Sequence, residues 1–82
     1  MDVIEIQRGE ETHTILYRDG GQNYLAALTE IDGEWIASAA FVGQSATVAA
    51  ARAFARRSSL RPWDITHRAS VADLVSALHL TA

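Results

Sequence analysis

The chain has 82 residues, with seven Arg, no Lys and ten carboxylates, giving a formal charge of −3 at neutral pH. It contains no cysteine, so a disulfide framework is excluded and packing or a partner must hold together what is one domain's worth of chain. A composition of 49% hydrophobic and 21% charged residues excludes a disordered polymer. No basic leader followed by a long apolar run is present and no stretch approaches a membrane span, so a folded domain in the cytoplasm is expected.

The first half reads as strands. Val3 to Gln7 is short and β-branched, Thr12 to Arg18 alternates, and Asn23 to Ile31 and Glu34 to Val42 flank Asp32-Gly33, the strongest two-residue hairpin signal in the chain. A type I′ turn there places Ile31 opposite Glu34, and counting outward pairs Glu30 with Trp35, Leu28 with Ala37, Ala26 with Ala39 and Tyr24 with Phe41. Gly20-Gly21 turns the preceding hairpin with Arg18 opposite Asn23, which sets Tyr24 beside Tyr17 and brings Ile15 and His13 onto the same face. The expected core face is Ile15, Tyr17, Tyr24, Ala26, Leu28, Trp35, Ala37, Ala39 and Phe41, with alanines in the middle where a helix can approach closely.

After Gly43 the period changes. Ser45 is the expected N-cap of a helix from about Ala46 to Ser58, whose Val48, Ala51, Phe54, Ala55 and Ser58 fall on one face and are expected to lie on the sheet. Ser59 to Pro62 ends that helix. Trp63 to Thr66 is a candidate short returning strand, and Ser70-Val71-Ala72-Asp73 is a capping box opening a last helix with Val71, Leu74, Val75 and Leu78 in one stripe. The expected fold is α+β: a four-stranded antiparallel sheet, with room for a short fifth strand, packed against two helices in the order ββββα(β)α.

Charge is distributed unevenly. Up to Glu34 the chain holds eight carboxylates against Arg8 and Arg18, a net of 2 − 8 = −6, whereas the remainder holds five Arg against Asp64 and Asp73, a net of 5 − 2 = +3. An acidic sheet end and a more basic helical side follow, an asymmetry able to orient a charged partner. Glu10, Glu11, Asp19, Glu30, Asp32 and Glu34 are the candidate contacts to a protein with a basic surface, such as a nucleic-acid-handling complex. The acidic balance argues against direct nucleic-acid binding, because phosphate neutralisation normally supplies most non-specific affinity. Arg52, Arg56, Arg57 and Arg61 are the alternative contacts, although arginines at a helix end commonly serve the helix dipole.

The second sheet face carries Leu16, Leu25, Ala27, Thr29, Ile31, Ile36, Ser38, Ala40 and Val42, which is apolar enough to need cover. The last helix is the expected cover, and a homodimer or protein partner using Leu25, Ile36 and Val42 is the alternative. Enzymatic chemistry finds little support. Gly43-Gln44-Ser45 lacks the second glycine of a nucleophile elbow. His13, His67 and His79 lack metal-ligand spacing, and Gly20-Gly21 lacks the Lys and helix of a phosphate loop. The carboxylates sit in solvated turns, whereas general acid or base work needs a shielded site. No enzyme, metal or cofactor is expected.

The stretch Tyr24 to Ser58, with Asp32-Gly33, Gly43 and the alanine-rich Ala49-Ala50-Ala51-Arg52-Ala53, followed by Trp63 to Thr66, resembles small phage-encoded anti-CRISPR inhibitors of compact α+β type in size, acidity and element order. That resemblance implies a non-enzymatic inhibitor whose acidic surface occupies a positively charged DNA-contacting region of a bacterial defence complex. The same stretch is similar to the HicB-like antitoxin domain through Tyr24-Leu25-Ala26 and Trp35-Ile36-Ala37, which implies an antitoxin-like or dimeric regulatory module. It departs from that family in lacking the proline-bearing loop after the second strand and a separate DNA-binding domain.

Overall fold

The computed structural model describes residues 1–58 and 71–80. Four strands, β1 (Asp2–Gln7), β2 (Thr12–Asp19), β3 (Gln22–Ile31) and β4 (Glu34–Phe41), form one antiparallel meander in the order β1-β2-β3-β4, followed by α1 (Val48–Ser58) and α2 (Val71–Leu80). Both hairpins close as the turn residues require. Gly20, Gly21, Asp32 and Gly33 all have positive φ, the backbone of a type I′ turn, whose twist matches that of the strands it joins. The register is accordingly the one counted from the sequence: Tyr17 lies opposite Tyr24 and Arg18 opposite Asn23, and Tyr24 opposite Phe41, Ala26 opposite Ala39 and Glu30 opposite Trp35. A bulge at Ile4 interrupts the pairing of β1 with β2.

The helices take the opposite faces to those expected. The aromatic face, with Ile15, Tyr17, Tyr24, Ala26, Leu28 and Ala39, is covered by α2 through Leu74 and Leu78. The other face, with Leu16 and Val42, receives α1 through Val48 and Ala51, with Leu25 and Phe54 packed alongside. Local geometry after β4 decides this. Gly43 adopts a φ of 64°, a left-handed conformation that redirects the chain at little cost only for glycine. Asn23, fully buried on the Leu16 face, then holds the loop: its Nδ2 donates to the Ser45 carbonyl at 2.7 Å and its Oδ1 accepts from Arg18 Nε at 2.9 Å. Asn23 N–H donates to the Gly43 carbonyl at 3.2 Å, and its own carbonyl accepts from Val42 N–H at 2.9 Å. The chain is thereby drawn onto the Leu16 face before the helix begins.

The same contacts correct the helix start. Ser45 does not cap α1, because its N–H bonds the Val42 carbonyl and its carbonyl is taken by Asn23. Thr47 is the cap, its Oγ1 accepting from Ala50 N–H at 3.1 Å, as a hydroxyl does for an unpaired donor of a first helical turn. A second donor is met from a distant strand, Glu5 Oε1 accepting from Val48 N–H at 2.9 Å. Glu5→Ala is expected to cost about 1 kcal/mol, the usual worth of a capping interaction; a urea titration against the wild type measures it.

The expected short strand at Trp63 to Thr66, the helix end at Ser59 to Pro62 and the capping serine Ser70 lie outside the described residues.

Candidate functional site

A four-stranded meander has two ends, and its turns sort the acidic residues between them. The β1–β2 connection and the β3–β4 turn share one end, while Gly20-Gly21 occupies the other. Glu10 and Glu11 therefore sit beside Glu30, Asp32 and Glu34, and five of the six candidate carboxylates share one end of the sheet. Asp19, next to Gly20, falls at the opposite end. All five are exposed, and none of their carboxylates is held by a hydrogen bond or ion pair among the described residues.

Three of them line a cleft. Glu10, Glu11 and Glu30 surround a depression of about 450 Å³ together with His13, Thr29, Ile31 and Trp35. Strand alternation accounts for this grouping. Thr12 pairs with Thr29 and His13 with Leu28, so Glu11 and Glu30, one step further on, project to the aromatic side with Trp35, the partner of Glu30. Trp35 is half-buried between two imidazoles, its ring centroid 6.0 Å from that of His13 and 6.4 Å from that of His79. His79 belongs to the last turn of α2, which Arg8 ties to β1 by donating from Nη2 to the Leu78 carbonyl at 2.7 Å. The C-terminal end of α2 adds the partial negative charge of its carbonyls to this end of the molecule. Nδ1 of His13 is buried and makes no hydrogen bond among the described residues.

The arginines are distributed differently. Arg52 lies over the sheet, Nη1 donating to Gln7 Oε1 at 3.1 Å and Nη2 to Thr14 Oγ1 at 3.2 Å, so it serves to seat α1. Arg57 stands over the Phe54 ring with its guanidinium carbon 6.0 Å from the centroid. Arg56 is exposed, and Arg61 lies outside the described residues. The three apolar candidates also part company: Val42 is fully buried and Leu25 partly buried against α1, whereas Ile36 is 53% exposed.

Trp35 and His13 are the site residues that sequence reasoning assigned only to the core face. The signal for them was present, since extending the Arg18–Asn23 pairing by seven steps brings Glu11 opposite Glu30 and hence beside Trp35.

The fold defines a small α+β protein with one antiparallel sheet and a helix on each face. Compared with known proteins, the chain matches no family model, no curated protein and no solved structure. Among the described residues, no helix is long and apolar enough to cross a membrane, and no three His, Cys, Asp or Glu side chains are grouped so as to hold a metal ion.

Proposed function

We propose that this protein is a non-enzymatic protein-binding module that docks its acidic sheet end on a positively charged, nucleic-acid-contacting surface of another protein and so inhibits it. The observation that carries this reading is the gathering of Glu10, Glu11, Glu30, Asp32 and Glu34 at one end of the sheet, none of them held within the described fold, with Glu10, Glu11 and Glu30 lining a cleft walled by Trp35. Such an end mimics the charge density of a phosphate backbone and steers encounter with a basic groove. The cleft adds an indole against which an arginine can stack, while the carboxylates receive its guanidinium donors. The engagement of Arg52 with Gln7 and Thr14 favours this reading over one in which the α1 arginines bind nucleic acid. An inhibitor of a bacterial defence complex, the role implied by the anti-CRISPR resemblance, is the biological form we propose for it.

The test is retention of bacterial proteins on the immobilised chain, comparing wild type with the triple variant Glu10→Lys, Glu11→Lys, Glu30→Lys. All three positions are exposed, so the fold should survive, as circular dichroism will check. The wild type is expected to retain a nucleic-acid-binding protein at low salt and release it at high salt or on addition of duplex DNA. The variant should retain at least about tenfold less. Equal retention by the folded variant, or capture indifferent to both salt and DNA, would overturn the proposal.

A further inference from the structure

Among the described residues, the α1 side of the sheet is covered over only part of its length. Glu5 meets the start of α1, and Phe54 lies against Phe41 at the far edge, their ring centroids 6.3 Å apart. The helix therefore crosses the strands over Leu16, Leu25 and Val42. The cross-strand rows nearer the β3–β4 turn are Thr14-Ala27-Ser38 and Thr12-Thr29-Ile36, followed by Ile31 opposite Glu34. There Ile31 is 51% and Ile36 53% exposed. Between this strip and α1 runs a groove of about 290 Å³ whose lining includes Ala27, Ser38, Arg52 and Ala55.

We propose that this open half-face is a two-fold interface between two copies of the chain. The argument for a second copy as occupant is that the patch carries both halves of a complementary charge pattern. Arg52 borders it at the helix end, and Arg56, one helical turn further on, falls on the same side of α1. Glu34 and Asp32 border it at the turn end. A two-fold axis in the interface and perpendicular to the strands lays α1 of each copy against the turn end of the other. Arg56 then faces Glu34 and Asp32 of the second copy, while Ile31 and Ile36 are buried at the centre. An axis parallel to the strands would instead bring the two acidic ends together, so charge selects the first arrangement. Glu30 and Trp35 of the docking cleft project to the other side of the sheet, whereas Ile31, Asp32 and Glu34 belong to both surfaces, so the interface does not require the docking function proposed above but competes with it for these three residues. The patch is small, so the dimer is weak, with a dissociation constant roughly in the micromolar range or above.

Sedimentation equilibrium of the whole chain over a wide concentration range tests this. The wild type is expected to pass from monomer to dimer. Ile36→Asp, which alters a side chain already half in solvent, should raise the dissociation constant at least about tenfold with an unchanged circular dichroism spectrum. Glu34→Arg should also weaken the dimer, and adding Arg56→Glu in the same chain should restore it. A wild type that stays monomeric at millimolar concentration, or a dimer indifferent to Ile36→Asp, would overturn the interface. A dimer sensitive to Ile36→Asp but indifferent to Glu34→Arg would overturn the orientation.

Discussion

Replacing Asn23 by alanine is expected to destabilise the protein by about 3 kcal/mol, measured as a fall in the urea midpoint at constant slope. Asn23 is fully buried, and its side chain satisfies the Ser45 carbonyl through Nδ2 and Arg18 Nε through Oδ1. The substitution removes both bonds and leaves a loop carbonyl without its donor at the point where the chain is turned onto the sheet. Losing a buried partner costs more than the bond is worth in net terms, because the group left behind has already given up its water. A chain of this length has a total stability on the order of 4–12 kcal/mol, so the loss is a large share of it. Gln44→Ala supplies the contrast. That side chain is exposed and makes one long bond, Nε2 to the Gly21 carbonyl at 3.4 Å, and its loss should stay within about 0.5 kcal/mol. Equal effects at the two positions would show that the loop is not held through Asn23.

Leu74→Ala is the second large effect, expected at about 3 kcal/mol, within the range for truncating a buried leucine. Leu74 is fully buried against the aromatic face in the cluster that includes Tyr17, Tyr24 and Leu28. The cavity opens in the cluster that also holds the stacked pair Tyr17 and Tyr24, whose ring centroids are 5.5 Å apart, so the near-ultraviolet circular dichroism of the tyrosines should weaken with the stability. Val71, on the same helix and 40% exposed, lies in the stripe assigned from the sequence, yet Val71→Ala should cost under about 1 kcal/mol. The pair of variants thus tests which face α2 presents to the sheet. A loss below about 1 kcal/mol for Leu74→Ala would mean that α2 does not pack there.

The strands and their register were legible because their determinants are local. Asp32-Gly33 and Gly20-Gly21 accept positive φ where most residues do not, a two-residue turn leaves one register, and a period of two then assigns every side chain to a face. The gathering of Glu10, Glu11 and Glu30 around Trp35 follows from that same arithmetic, extended by a few residues. The positions of the helices were not legible in this way. Both sheet faces are apolar and both contain alanines, so the pattern of neither helix distinguishes them. The choice rests on contacts between residues far apart in the chain: Asn23 with Ser45, Glu5 with Val48 and Arg8 with Leu78. Ser45 and Thr47 are likewise both good capping residues, and only the hold of Asn23 on the Ser45 carbonyl leaves the cap to Thr47. Local backbone preference and side-chain alternation thus determined from the sequence alone a four-stranded antiparallel meander with an acidic end. Which helix covers which face was decided by the tertiary structure, because the deciding hydrogen bonds exist only once distant strands and helices have met.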